Sequence, residues 1–152
     1  MSLKDRISED IKTAMKARDK VRLETVRSIK KILLEKEVSV RPQGQDSLTE
    51  TQELEVLVQA AKQRREAIEQ YRLAKRDDLA DNEAQELAII EEYLPKQLSD
   101  DEIAAVVDEI IASVGATSVK DLGKVMGPAV QKLKGQAEGQ KIQAIAKTKL
   151  SS

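Results

Sequence analysis

The chain has 152 residues, 40% of them hydrophobic and 35% charged, with a formal net charge of -1, which suits one ordinary domain or two small ones with a modest core. It contains no Cys and no His, which excludes thiol nucleophiles, the common zinc sites, Ser-His-Asp triads and the usual general base at neutral pH. Tyr71 and Tyr93 are the only aromatics, so the core must be aliphatic and stacking platforms for exposed bases are nearly absent.

The opening segment MSLKDRISED lacks the apolar stretch of a signal peptide, and nothing approaches the roughly 20 apolar residues that span a bilayer. The expectation is a soluble, cytoplasmic protein. Apolar residues recur at spacings of 3 and 4, with no alternation of period 2, so the fold class is all-α. A first helix is expected from about Leu3 to Arg18, with Leu3, Ile7, Ile11 and Met15 in one stripe. Asp19 is a candidate N-cap for a second helix carrying Val26, Ile29 and Leu33. The stretch VSVRPQGQDS, residues 38–47, reads as a polar, mobile loop around Pro42 and Gly44.

Thr49 with Gln52 forms a capping box that opens a long helix, its apolar side made by Leu54, Leu57, Val58, Ala61, Ile68 and Tyr71. Arg64 and Arg65 interrupt that side and are expected to snorkel to its edge. Arg76-Asp77-Asp78 marks a turn into a fourth helix, roughly residues 79–93, which Pro95 stops.

Beyond Pro95, Ser99 and Glu102 form a second capping box, with Leu98 and Ile103 at the staple positions. That helix carries Ile103, Val106, Val107, Ile110, Ile111 and Val114, and Gly115 provides a left-handed stop. Ser118 with Asp121 opens the next helix, where Pro128 predicts a kink or a small break and Gly123 and Gly127 permit close helix packing. A last helix is expected near residues 139–150. The organisation is therefore an N-terminal four-helix unit, 1–95, followed by a three-helix tail, 96–152. The tail core is small and gains from packing against the first four helices.

Charge is uneven along the chain. Lys and Arg against Asp and Glu number 18 and 20 over residues 1–95, 1 and 5 over 96–119, and 7 and 2 over 120–152, or -2, -4 and +5. The basic end contains QKLKGQAEGQKI, residues 131–142. Gly135 and Gly139 are wrongly spaced for a phosphate-binding P-loop, and Ile142 stands where that loop needs a hydroxyl. The plain reading is a helix–turn–helix corner in which Gly135 ends one helix and Gly139 begins the next. The sharper reading adds that Lys132, Lys134 and Lys141 surround a helix N-terminus, whose free N–H groups attract phosphate. Glu138 inside the corner opposes that attraction. Elsewhere, Glu91 and Glu92 are adjacent and point apart on a helix, which argues against an acid/base pair. Asp77, Asp78, Asp81 and Glu83 lack the order of a calcium loop and read as a solvated acidic turn. No catalytic residue, metal site or cofactor is expected.

Lys62-Gln63-Arg64-Arg65 with Ile68-Glu69-Gln70, then the segment EEYLPKQLS from Glu91 to Ser99, then Lys124-Val125-Met126-Gly127 and Lys134-Gly135-Gln136-Ala137 together resemble the GatB/YqeY family over nearly the whole chain. The chain looks like a stand-alone YqeY-type protein. From about Leu98 onward it is similar to the tail domain of the B subunit of the glutamine-dependent aminoacyl-tRNA amidotransferase, a carbon-nitrogen ligase with glutamine as amido donor. In that enzyme the tail helps hold tRNA, and the chemistry belongs to other domains and subunits. The resemblance implies that Lys124, Lys132, Lys134 and Lys141 contact phosphates while Gly135 and Gly139 let the backbone come close. It also implies tRNA, an aminoacyl-tRNA synthetase or amidotransferase subunits as partners, with no membrane and no DNA. The chain lacks a nucleophilic Cys, an amidase serine signature and a glycine-rich phosphate loop, so stand-alone amide transfer has no visible residues. The expected role is a non-catalytic tRNA-binding module. The alternative is a protein-interaction module that docks on a synthetase or amidotransferase and leaves RNA alone.

Overall fold

The computed structural model describes residues 1–151, and it is all-α. Its seven α-helices are α1 (Leu3–Ala17), α2 (Lys20–Val40), α3 (Glu50–Leu73), α4 (Asp77–Glu91), α5 (Asp100–Val114), α6 (Leu122–Lys132) and α7 (Gly139–Leu150). Two compact units divide the chain between Leu94 and Pro95.

In the first unit, α1 to α4 enclose a core of Ile7, Val26, Ile29, Leu33, Leu57 and Ile90 among others. Each such side chain contributes about 1.5–3 kcal/mol on burial. Asp19 caps α2 by accepting from the Arg22 N–H, and Thr49 with Gln52 completes the capping box of α3. The stripe on α1 departs from expectation at its end, where Ala14 is buried and Met15 is exposed. A step of 3 rather than 4 after Ile11 keeps the contact on the α2 side. On α3 the buried set is Val56, Leu57, Ala60 and Ala61. Leu54, Val58, Ile68 and Tyr71 are half-buried, because α3 packs on both α2 and α4 and so turns a wider face inward.

The expected loop at residues 38–47 is shorter than its composition suggests. Helix α2 continues to Val40, held by buried Val40 and by Glu37, whose carboxylate lies 2.9 Å from the Lys4 Nζ. Pro42 then sits in a 3₁₀ turn, Arg41–Gln43, where its missing N–H is no loss, and Gly44 closes the turn at φ 82°. The Gln45 side chain donates to the Ser47 carbonyl at 2.7 Å and pairs with Gln52, tying the segment to the start of α3. Helix α4 starts and ends earlier than expected. Asp77 and Asp78 belong to its first turn, where the helix dipole favours carboxylates. Its end tightens into i→i+3 bonds, Tyr93 N–H to Ile90 and Leu94 N–H to Glu91, before Pro95 is reached.

In the second unit, α5, α6 and α7 share a core of Ile103, Val107, Val125, Leu133, Ile142 and Leu150 with smaller neighbours. Ser99 and Glu102 form the expected capping box, and Gly115 is left-handed at φ 68°. Ser118 caps a 3₁₀ turn, Val119–Asp121, ahead of α6 rather than α6 itself. The Asp121 carboxylate accepts from the Thr117 N–H at 2.9 Å, which holds it below the usual carboxylate range. Helix α6 runs unbroken through Pro128. Gly127 explains this, since a preceding residue without a Cβ removes one of the two clashes with the proline ring. Neither Gly123 nor Gly127 serves helix packing: a Cβ at either position would meet nothing within 4 Å.

Candidate nucleic-acid interface

The corner between α6 and α7 is built from backbone. The Leu133 carbonyl accepts from the Gln136 N–H at 2.8 Å and the Ala137 N–H at 3.1 Å, and Gly135 between them stands at φ 81°, a left-handed conformation that glycine adopts without strain. Residues following Pro95 brace the turn from behind. Gln97 donates through its side chain to the Gly135 carbonyl at 2.6 Å, and the Leu98 N–H donates to Gln136 at 2.9 Å. Two segments singled out from sequence, PKQLS and KGQA, thus meet at one turn.

Helix α7 begins at Gly139 with Glu138 as its N-cap residue, and the Glu138 side chain makes no capping bond. It shares this with α4 and α6, whereas α1, α2, α3 and α5 each have a side-chain cap. The first-turn N–H groups of a helix have no intrahelical partner, so an uncapped start leaves donors for an anion. Gly139 and Gln140 are exposed, and the space over Gly139 is open.

Lys132 ends α6, Lys134 lies in the turn and Lys141 is in the first turn of α7, so all three stand close to this corner along the chain. Lys124 stands eight residues before Lys132 on α6, about 12 Å along the axis, and belongs elsewhere. Gly135 is buried, with its carbonyl occupied by Gln97, so it shapes the turn while Gly139 offers the open backbone. Helix α5 holds two of these lysines apart: Lys141 lies 3.0 Å from Asp100 at the start of α5, and Lys132 lies 3.6 Å from Glu109, nine residues or about 13.5 Å further along that helix. Lys124 is 3.8 Å from Asp121. Exposed pairs of this kind contribute about 0–1 kcal/mol, so a phosphate can displace them at little cost.

The remaining conspicuous charges of the first unit hold helices together. Glu92 accepts a two-pronged bond from the Arg22 guanidinium, at 3.1 and 2.9 Å, which raises the Arg22 pKa. Arg6 donates to the Glu92 carbonyl at 2.6 Å and stacks over the Tyr93 ring, whose hydroxyl donates to Asp10. Glu91 pairs with Arg65 at 3.8 Å. Arg64 does not snorkel. Its guanidinium is largely buried, with Nε 3.6 Å from both Glu83 and Glu86 and Nη2 3.4 Å from the Ser28 hydroxyl. Burial pushes the Glu86 carboxyl up, and Arg64 offsets part of that rise. Nε of Arg64 is buried without a hydrogen bond, so its pairing is by charge alone. Asp77 and Asp81 pair with Arg72, and Asp78 with Arg76. Among the described residues no group of three or more acidic side chains is placed to hold a metal ion.

Comparison with known proteins matches residues 4–150 to the family described as Yqey-like protein. The chain belongs to the YqeY-like family. It is similar to two curated relatives, both called altered inheritance of mitochondria protein 41, mitochondrial. That of Pyrenophora tritici-repentis is 27% identical over 134 residues, which is 87% of this chain and 71% of the relative. That of Kluyveromyces lactis is 31% identical over 87 residues, 57% of this chain and 45% of the relative. No helix among the described residues is long and apolar enough to cross a membrane.

The largest cationic excess in this family member is not at its end. Residues 12–34 hold eight Lys and Arg against Asp19 and Glu24, a balance of +6, and counting by whole domains hid it because the rest of the first unit is acidic. A sliding count over one helix length would have found it.

Proposed function

We propose that this YqeY-like protein is a non-catalytic accessory module that holds tRNA through its phosphate backbone, in the service of tRNA-dependent amide transfer carried out by other subunits. One observation carries the reading: α7 opens without a side-chain cap, at an exposed Gly139, with exposed Lys141 in its first turn and exposed Lys132 and Lys134 shortly before it in the chain. Backbone donors and cations at a helix start recognise phosphate by charge and shape, with no need for aromatic stacking. The resemblance to an amidotransferase B-subunit tail, read from the sequence from about Leu98 onward, favours tRNA over other nucleic acids in this proposal. The proposal places the protein in the cytoplasm; the two relatives carry mitochondrial names, and phosphate recognition is the same in either compartment.

A second reading, docking on a synthetase or amidotransferase without RNA, draws on the carboxylates already paired with Lys132 and Lys141. A salt series separates the two. Binding of bulk tRNA should weaken linearly in log affinity against log salt. A Lys132→Glu, Lys134→Glu, Lys141→Glu variant that keeps its helical circular dichroism should lose binding, and with it a slope of about 2–3. No binding by the unmodified protein at low salt would favour protein docking.

A further inference from the structure

The first unit carries a second surface that the corner does not use. On α2, Arg27, Lys31, Leu34 and Val38 follow one another at spacings of 4, 3 and 4, which sets them in a single stripe along the helix. Leu34 and Val38 are 41% and 55% exposed, in the last two turns of a helix whose other face is buried. With Lys30 and Glu35 on the rim, these side chains line a shallow groove of about 480 Å³. A separate, smaller depression of about 230 Å³ between α1 and α2 shares Lys30 and Leu34 with it.

Among the described residues, Arg27, Lys30 and Lys31 have no carboxylate within ion-pair distance, in a unit whose other arginines are mostly paired. From Arg27 to Val38 is 11 residues, about 16 Å of helix or three turns. A stripe of that length, cationic over Arg27 and Lys31 and apolar over Leu34 and Val38, is complementary to a short helix with the opposite pattern. We propose that this face of α2 docks an acidic amphipathic helix of a partner protein. Aliphatic side chains of that helix, spaced i, i+3, i+4 and i+7, cover Leu34 and Val38, and its Asp and Glu residues meet Arg27, Lys30 and Lys31. Glu35 is the one carboxylate on the rim and favours a single basic residue at that point of the partner. An RNA backbone uses the cations equally well but has no use for the exposed Leu34 and Val38, and no aromatic side chain stands in the groove to stack a base.

The test uses the full chain and a register series of fluorescent synthetic peptides, each with three turns of leucines at i, i+3, i+4 and i+7 and flanking glutamates. Fluorescence anisotropy should show saturable binding by at least one register. Leu34→Ser and Arg27→Glu, Lys31→Glu should each weaken it at least tenfold, since all three positions are exposed and their variants keep the fold. Peptides with lysine in place of glutamate should not bind. The tail triple lysine variant should bind the acidic peptide as the unmodified protein does, which separates this surface from the tRNA corner. Equal binding of acidic and basic peptides, indifference to Leu34→Ser, or binding by no register would overturn the proposal. So would competition of the peptide with tRNA or with phosphatidylserine vesicles whose own binding depends on Lys31 but not on Leu34.

Discussion

Tyr93 shows how a single residue near the middle of the chain closes the first unit. Its ring is buried, Arg6 lies 4.6 Å above it, and its hydroxyl donates to Asp10 on α1. Burial first, then Asp10, push the phenol well above its ordinary value of about 10. A raised folded pKa contributes stability that is complete below the unfolded value and lost as pH rises, because the unfolded chain releases its proton first. Tyr93→Phe is therefore expected to cost about 1 kcal/mol at pH near 9 through the lost hydrogen bond. The gap to the unmodified protein should narrow near pH 11, as read from urea unfolding at both values. A gap that stays constant would mean that the phenol is not held neutral by the fold. The sequence shows Glu91, Glu92 and Tyr93 as neighbours and shows correctly that adjacent carboxylates point apart. It does not show that Glu92 meets Arg22, 70 residues earlier, or that Arg64 stays inside, since charge partners across helices leave no local periodicity.

At the level of elements, starts were more legible than ends. Asp19, Thr49 and Ser99 are caps in the structure as in the sequence, because a cap and its N3 partner lie three residues apart and carry their own chemistry. The ends of α2 and α4 depend on what the last turn packs against, which is distant in sequence. Helix α6 is the instructive case, since Pro128 argued for a kink or a small break and the helix continues through it, with Gly127 relieving one of the contacts of the proline ring. The glycines of the tail accordingly divide by conformation. Gly123→Ala is expected to stabilise by about 0.5 kcal/mol, with open space around the new methyl and helix propensity in its favour. Gly135→Ala should destabilise by about 1 kcal/mol or more, since it forces a side chain into a left-handed φ of 81°. Thermal unfolding of the two variants measures both, and shifts of the same sign would contradict this division.

Across the molecule, two aliphatic cores without Cys, His, Trp or Phe leave function to the arrangement of surface charge. Counting by blocks made the tail look basic. The structure sets carboxylates of α5 against lysines of α6 and α7, so the corner is a mixed surface with an uncapped helix start rather than a free cationic patch. The cationic run over α1 and α2 is the larger excess, and it is paired with exposed aliphatic side chains that point to a protein. The all-α class could be read from period and punctuation. The supply of opposing charge to Lys132 and Lys141 could not, because it comes from residues 23 and 41 positions earlier in the chain.

The most direct measurement is the change in backbone amide resonances when tRNA is added to the isotope-labelled protein at low salt. The tRNA-binding reading predicts the largest shifts at Gly139, Gln140 and Lys141, fading as salt is raised, while residues 27–38 stay in place. Shifts centred on α2, or none at the start of α7, would contradict it.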